Sequence, residues 1–121
     1  MKRLILLFIS ITSTALVFSQ ATTWESVYNV LQTNCGSCHV AGHESGLDLS
    51  ASISEVYDNL YDISPANATS AGKGYKRVFP GEPYKSFLFS KVNNGLALDV
   101  NLEAGEGAAC PQGASPLNNK D

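Results

Sequence analysis

The sequence predicts a small all-α domain, on three observations. Apolar residues recur at helical spacing in three separate segments, and no run of β-branched residues alternates with polar ones as a half-buried strand requires. The chain has 121 residues, enough for one domain. About three helices separated by long loops is therefore the expected layout.

The first element is a leader. Residues 1–19 run MKRLILLFISITSTALVFS: a basic start at Lys2 and Arg3, an apolar stretch, then small residues before a cut at Gln20. That is the layout of a secretory signal peptide, leaving residues 20–121 as the domain. Ser10, Thr12, Ser13 and Thr14 interrupt the apolar stretch, which is short for a span of about 20 apolar residues, so no transmembrane segment is expected after leader removal. The chain is expected in the periplasm or outside the cell.

Removing the leader leaves 6 Lys+Arg against 11 Asp+Glu, a net charge of −5. An acidic surface of this kind argues against nucleic acid, whose phosphates select basic patches. Lys73, Lys76, Arg77, Lys85 and Lys91 nevertheless cluster around the single acid Glu82. They are either a solvated surface or a basic rim that steers a partner or neutralises an anionic group of a cofactor.

The first helix is read over Thr23 to Thr33. Trp24, Val27, Tyr28 and Leu31 fall on one face, and Thr22 with Glu25 has capping-box spacing. The second lies in SISEVYDNLYDI, with Ile53, Val56, Tyr57, Leu60 and Tyr61 in its stripe and a capping box from Ser52 and Glu55. The third begins at Pro83, suited to a first turn, carries Tyr84, Phe87, Leu88 and Val92, and ends in the turn chemistry of Asn93-Asn94-Gly95. VAGHESG, SPANATSAGKG and the tail AGEGAACPQGASPLNNKD read as loops.

The chemistry concentrates at NCGSCH, residues 34–39. Disulfide exchange would need the Cys pair at a helix N-terminus, usually after a strand; here it follows a helix end. Zinc needs four ligands; Cys35, Cys38, His39 and Cys110 could supply them, but the adjacency of Cys38 and His39 is awkward for one tetrahedral centre. Haem attachment accounts for every position: two thiols add to the vinyl groups of one porphyrin, and the next histidine is carried to the iron. It also resolves an odd count of 3 cysteines in an exported chain, since two become thioethers and Cys110 is left over.

With CGSCH, GLDL at 46–49 and RVFPGEPYKSFL at 77–88 in this order, the chain resembles the small exported monohaem class I c-type cytochromes. The resemblance covers most of the mature chain and implies a cytochrome c-like fold wrapped around one haem c. By it, Cys35 and Cys38 hold the haem and His39 is the proximal iron ligand. The family usually offers a Met-Pro near its end as the distal ligand. Here the sole methionine is Met1, in the leader, and CPQGASPL stands in that place. Cys110 is then either the distal ligand, as a thiolate that would lower the potential, or a spare thiol beside five-coordinate or water-bound iron. His43 is a rival ligand that would have to reach the face opposite His39. The family's closing C-terminal helix is expected to be missing.

The implied function is electron transfer with a soluble or membrane-bound redox protein, without catalysis. The alternative is a haem module that binds or senses a gas at an open or Cys-ligated distal site. Arg77 or Lys76 is a candidate to face a haem propionate, while Trp24, Tyr57 and Leu88 are expected in the core against the porphyrin.

Overall fold

A computed structural model of the chain describes residues 23–93, 96, 99–113 and 117. The proposed leader, the Thr22 half of the first capping box and the Asn94-Gly95 turn lie outside these residues, as does most of the segment after 113. The described fold is all-α. Its helices are α1 (Thr23–Cys35), α2 (Ile53–Leu60), α3 (Ala68–Gly72) and α4 (Phe87–Asn93), with a 3-10 turn at Pro83–Lys85. Among the described residues there is no β-strand, only two isolated parallel bridges, Tyr61 with Val78 and Lys76 with Ser86. No described helix is long and apolar enough to cross a membrane.

Helix α1 turns inward a slightly different face from the one its spacing predicts. Leu31 and Cys35 are buried in the core cluster with Leu49, Val56 and Leu60, Trp24 and Tyr28 pack against that cluster, and Val27 is 40% exposed. The stripe is thus Trp24, Tyr28, Leu31 and Cys35, spaced by four, three and four, and the helix runs two residues past the expected end. Gly36 follows as its backbone N–H bonds to the Gln32 carbonyl at 3.0 Å. A Cβ at Gly36 would collide with that same carbonyl, so only glycine lets the chain turn there.

Helix α2 has the capping box that its sequence predicts. Glu55 N–H donates to Ser52 Oγ at 3.4 Å, and Ser52 N–H donates to the Glu55 carboxylate at 3.0 Å. It buries Val56 and Leu60 against Leu31 and Leu49, and stops at Leu60 rather than continuing to Ile63. The cause is tertiary: Tyr61 becomes extended, Asp62 N–H bonds to Val78 O at 3.0 Å, and Val78 N–H bonds to Leu60 O at 3.0 Å. The partner of Trp24 is also found here. Its ring meets Tyr57 edge-on at 5.5 Å, and its Nε1–H donates to Ile53 O at 3.1 Å. Trp24 packs against the core cluster as expected, Tyr57 is 42% exposed instead of in the core, and neither lines the main cavity.

Two further differences are local. SPANATSAGKG reads as loop in the sequence, yet Asn67 accepts the Ser70 N–H at 3.0 Å and starts the one-turn helix α3. The third helix does not run from Pro83: the 3-10 turn is broken at Ser86, and α4 begins at Phe87. Ser86 is buried and extended because Phe87 N–H bonds to Lys76 O at 2.7 Å, and its hydroxyl accepts the Phe79 N–H at 2.8 Å. The serine of the FPGEPYKS segment is thus the centre of a folded loop.

Candidate functional site

Leu31 and Cys35 of α1, Leu47 and Leu49 after the CGSCH turn, Leu60 of α2, and Phe87 and Leu88 of α4 wall one cavity of about 570 Å³. The volume lies within the roughly 300–1,000 Å³ usual for small-molecule and cofactor sites. Cys38, His39, His43, Arg77, Lys91, Glu106 and Cys110 also line it. Three sequence-predicted site residues on one turn, and Cys110 from a loop 75 positions away from Cys35, are thereby brought to one place.

The turn itself is fixed by backbone. The Cys35 carbonyl accepts N–H groups from Cys38 at 3.2 Å and His39 at 3.0 Å, and the His39 carbonyl accepts Leu49 N–H at 2.8 Å. GLDL is therefore the segment that clamps the histidine, with Leu49 buried beneath it.

His39 is oriented by Ser45, a residue that no sequence pattern singles out. Ser45 Oγ lies 3.1 Å from His39 Nδ1 and 2.8 Å from His43 Nδ1, and accepts Leu47 N–H at 3.2 Å. Ser45 N–H donates to His43 Nδ1 at 3.1 Å, so that nitrogen is an acceptor. The hydroxyl accepts from Leu47 N–H and bridges the Nδ1 atoms of the two imidazoles. With His39 Nδ1–H donating to Ser45, the lone pair of His39 would lie on Nε2, the arrangement by which a second group fixes the tautomer of a metal-binding imidazole. Desolvation, then the neighbouring His43, hold the His39 pKa below the usual histidine value, against a hydrogen bond to the Leu47 backbone. The two imidazoles sit side by side, centroids 4.4 Å apart. His43 is accordingly on the same side as His39 and not placed to reach an opposite face.

The basic cluster does not form one open rim. Lys73 pairs with Glu103 at 2.9 Å and Glu106 at 3.0 Å, Lys85 with Glu82 at 2.9 Å, and Lys76 with Asp62 at 3.5 Å. Lys76 is not in the cavity wall, whereas Arg77 and Lys91 are. Arg77 donates to Ser45 O at 2.7 Å and Asn59 O at 2.8 Å, and Lys91 to Glu106 O at 2.6 Å and Ala108 O at 2.7 Å. Desolvation pushes the Lys91 ammonium down, with the Glu106 charge opposing.

Glu106 is hidden in a tail that the sequence predicts to be loop. Only 2% exposed, it accepts Ser70 Oγ–H at 3.2 Å, Lys73 Nζ at 3.0 Å and Glu103 N–H at 2.8 Å. Burial alone would raise its pKa, but the Glu103 amide, Lys73 and Ser70 outweigh it and hold the carboxyl below its ordinary value. It locks the 101–113 loop to α3. Nothing local in EAGEGAAC marks it out, because Ser70 and Lys73 lie 36 and 33 positions back.

The cysteines are grouped differently from the expectation. Cys35 is bonded to Cys110 across a Cα–Cα distance of 6.4 Å, and Cys38 is the free, exposed thiol. The expectation left Cys110 over and committed Cys35 to a thioether. In the described state Cys35 cannot be a thioether, nor Cys110 a ligand of iron. The reason is the path of the loop: Cys110 N–H bonds to Lys91 O at 2.8 Å, and the Glu106 anchor brings the loop back over α1. The remaining wall offers groups a haem could use: apolar side chains, His39 held at Nδ1 by Ser45, an exposed Cys38, and the cations Arg77 and Lys91. Loading would require Cys35 to be released first.

No protein-family model matches the chain, and neither curated proteins nor solved structures give a match.

Proposed function

We propose that this is an exported electron carrier with one covalently attached haem c in a cytochrome c-like fold. One observation carries the reading: Cys35, Cys38 and His39 share a turn in the wall of an apolar cavity, with His39 Nδ1 held by Ser45. Cys35 and Cys38 would hold the porphyrin by thioethers and His39 would offer Nε2 to iron. Bound haem would supply a one-electron ferric/ferrous couple. The chain's own contribution is to exclude water with Leu31, Leu49, Leu60 and Leu88, fix the imidazole, and present Arg77 and Lys91 to the propionates. Redox partners, membrane-bound or soluble, would exchange electrons at the exposed edge near Cys38.

The test is production of the chain with and without a c-type cytochrome maturation system. The expected result is a haem-sized mass increase that survives denaturation and a pyridine haemochrome of the two-thioether type. Absence of covalent haem when maturation works on a control protein would sink the reading.

A second reading is favoured by the position of Cys110. It lies beside Cys35, at the attachment edge, and not apart from it across the cavity. With no methionine in residues 20–121 to close the distal side, the site would be open, as in a gas-binding or sensing module. Ready carbon monoxide binding by the reduced protein, with a ferric spectrum unchanged by Cys110→Ala, would favour this reading over a closed carrier.

A further inference from the structure

We propose that, in the chain whose cysteines carry no thioether, the free Cys38 thiol exchanges with the Cys35–Cys110 disulfide and unfastens the 101–113 loop from the cavity. The inference rests on the cysteine pairing and not on the haem reading. It describes the molecule before any group consumes Cys35 and Cys38.

All three cysteines line the same cavity. Cys38 is held on the turn that carries Cys35, since both the Cys38 and His39 amides donate to the Cys35 carbonyl. Cys35 ends α1 and Cys38 follows within the next turn, so the two share one short stretch of the cavity wall. Cys38 is exposed and free while Cys35 is 6% exposed and bonded, so an accessible thiol and an inaccessible disulfide line one cavity.

The step is balanced within the chain. The Cys38 thiolate attacks Sγ of Cys35; the Cys35–Cys110 bond breaks as the Cys35–Cys38 bond forms, and the electron pair leaves on Cys110. The proton given up by Cys38 is taken by the Cys110 thiolate. One disulfide and one thiol are present before and after, so neither oxidant nor reductant is needed.

What changes is the tie across the cavity. Cys110 is the covalent link between the 101–113 loop and α1. The other ties are non-covalent, among them the Glu106 carboxylate on Ser70 and Lys73, Lys73 on Glu103, Asn67 on Gly105 O, the Lys91 ammonium on two loop carbonyls, and the Cys110 amide on Lys91 O. While these hold, Cys110 stays beside Cys35 and the exchanged form is the minor one. Weakening them lets Cys110 leave, and the exchanged form grows. The device therefore couples the loop's grip on α3 to the state of the CGSC turn.

The test uses the full chain exported without haem maturation. It is alkylated rapidly with iodoacetamide under native conditions, digested, and read by mass spectrometry for the alkylated cysteine and the linked pair. The expected result is a major species labelled at Cys38 with Cys35–Cys110 linked, and a minor one labelled at Cys110 with Cys35–Cys38 linked. Glu106→Gln should raise the minor species severalfold, with Lys73→Gln as a second variant should the first fail to fold. In Cys38→Ser, at an exposed position, Cys110 label should vanish. Three outcomes would each overturn the proposal: no Cys110 label in wild type and loop variants, label on Cys35 with Cys38–Cys110 linked, or three free thiols. The haemochrome assay decides the haem reading separately.

Discussion

Ser45 shows how much one small side chain can organise. Its hydroxyl and amide together contact His39, His43 and Leu47, and so hold the His39 ring by its Nδ1. Ser45→Ala strands the Leu47 amide and both imidazole nitrogens in a half-buried site. We expect a loss of about 1–3 kcal/mol, read from urea unfolding of the unloaded chain. Glu106 confers a pH dependence with a definite sign. Its folded pKa lies below the ordinary carboxylate value of 4.5, so the folded state binds fewer protons than the unfolded state around that pH. Its stabilisation is present above about pH 4.5 and is lost as pH falls through the depressed folded value. Urea midpoints measured from about pH 6 downward should fall in that window, and Glu106→Gln should flatten the fall while starting from a lower plateau.

At the scale of elements, α2 is the short helix on which the core rests. Its 8 residues are marginal as a free helix, so its stability comes from the cap and the buried face. Ser52→Ala should cost about 1 kcal/mol, because the Glu55 amide loses its acceptor. Val56 is fully buried and Ile53 is 37% exposed on the same helix. Truncation to alanine should therefore cost about 2–3 kcal/mol at Val56 and under about 1 kcal/mol at Ile53, as measured by thermal or urea unfolding. Equal costs would mean that α2 faces the core differently. The local chemistry of α2 is legible in the sequence: the Ser52–Glu55 spacing and the apolar period are interactions within one turn or two. Its end is not, since Tyr61 leaves the helix to meet Val78, far along the chain. Helix α3 escapes sequence reading for a related reason: SPANATSAGKG has no apolar period, and the Asn67 cap and the contact of Ser70 with Glu106 hold it.

For the whole molecule, the described chain is fastened at the α1–α2 core, by the Ser86 loop onto residues 76–79, and by the 101–113 loop onto α1, α3 and α4. The last includes the Cys35–Cys110 bond, which spans 75 positions. Restricting a loop of that length in the unfolded chain stabilises by about 2–4 kcal/mol. Cys110→Ala should lower the stability of unloaded protein by that amount, and reduction of wild type should lower it equally. In haem-loaded protein, where Cys35 would be consumed, the same substitution should leave stability nearly unchanged, so the difference between the two preparations is itself a readout of the attachment.

By itself the sequence determined the features that depend on neighbours along the chain. The all-α class came from apolar spacing, the α2 cap from Ser52 and Glu55, and the grouping of Cys35, Cys38 and His39 from their closeness on one turn. The tertiary structure decided everything that depends on distant partners. It joined Cys35 to Cys110 and left Cys38 free, set Ser45 between two imidazoles, buried Glu106 against Lys73, and set Trp24 edge-on to Tyr57 outside the main cavity wall. The physical reason is that a turn or a cap is specified by residues within about four positions. Which thiol meets which, and which acid is desolvated, depends on how loops return to the core, and no local pattern encodes that return.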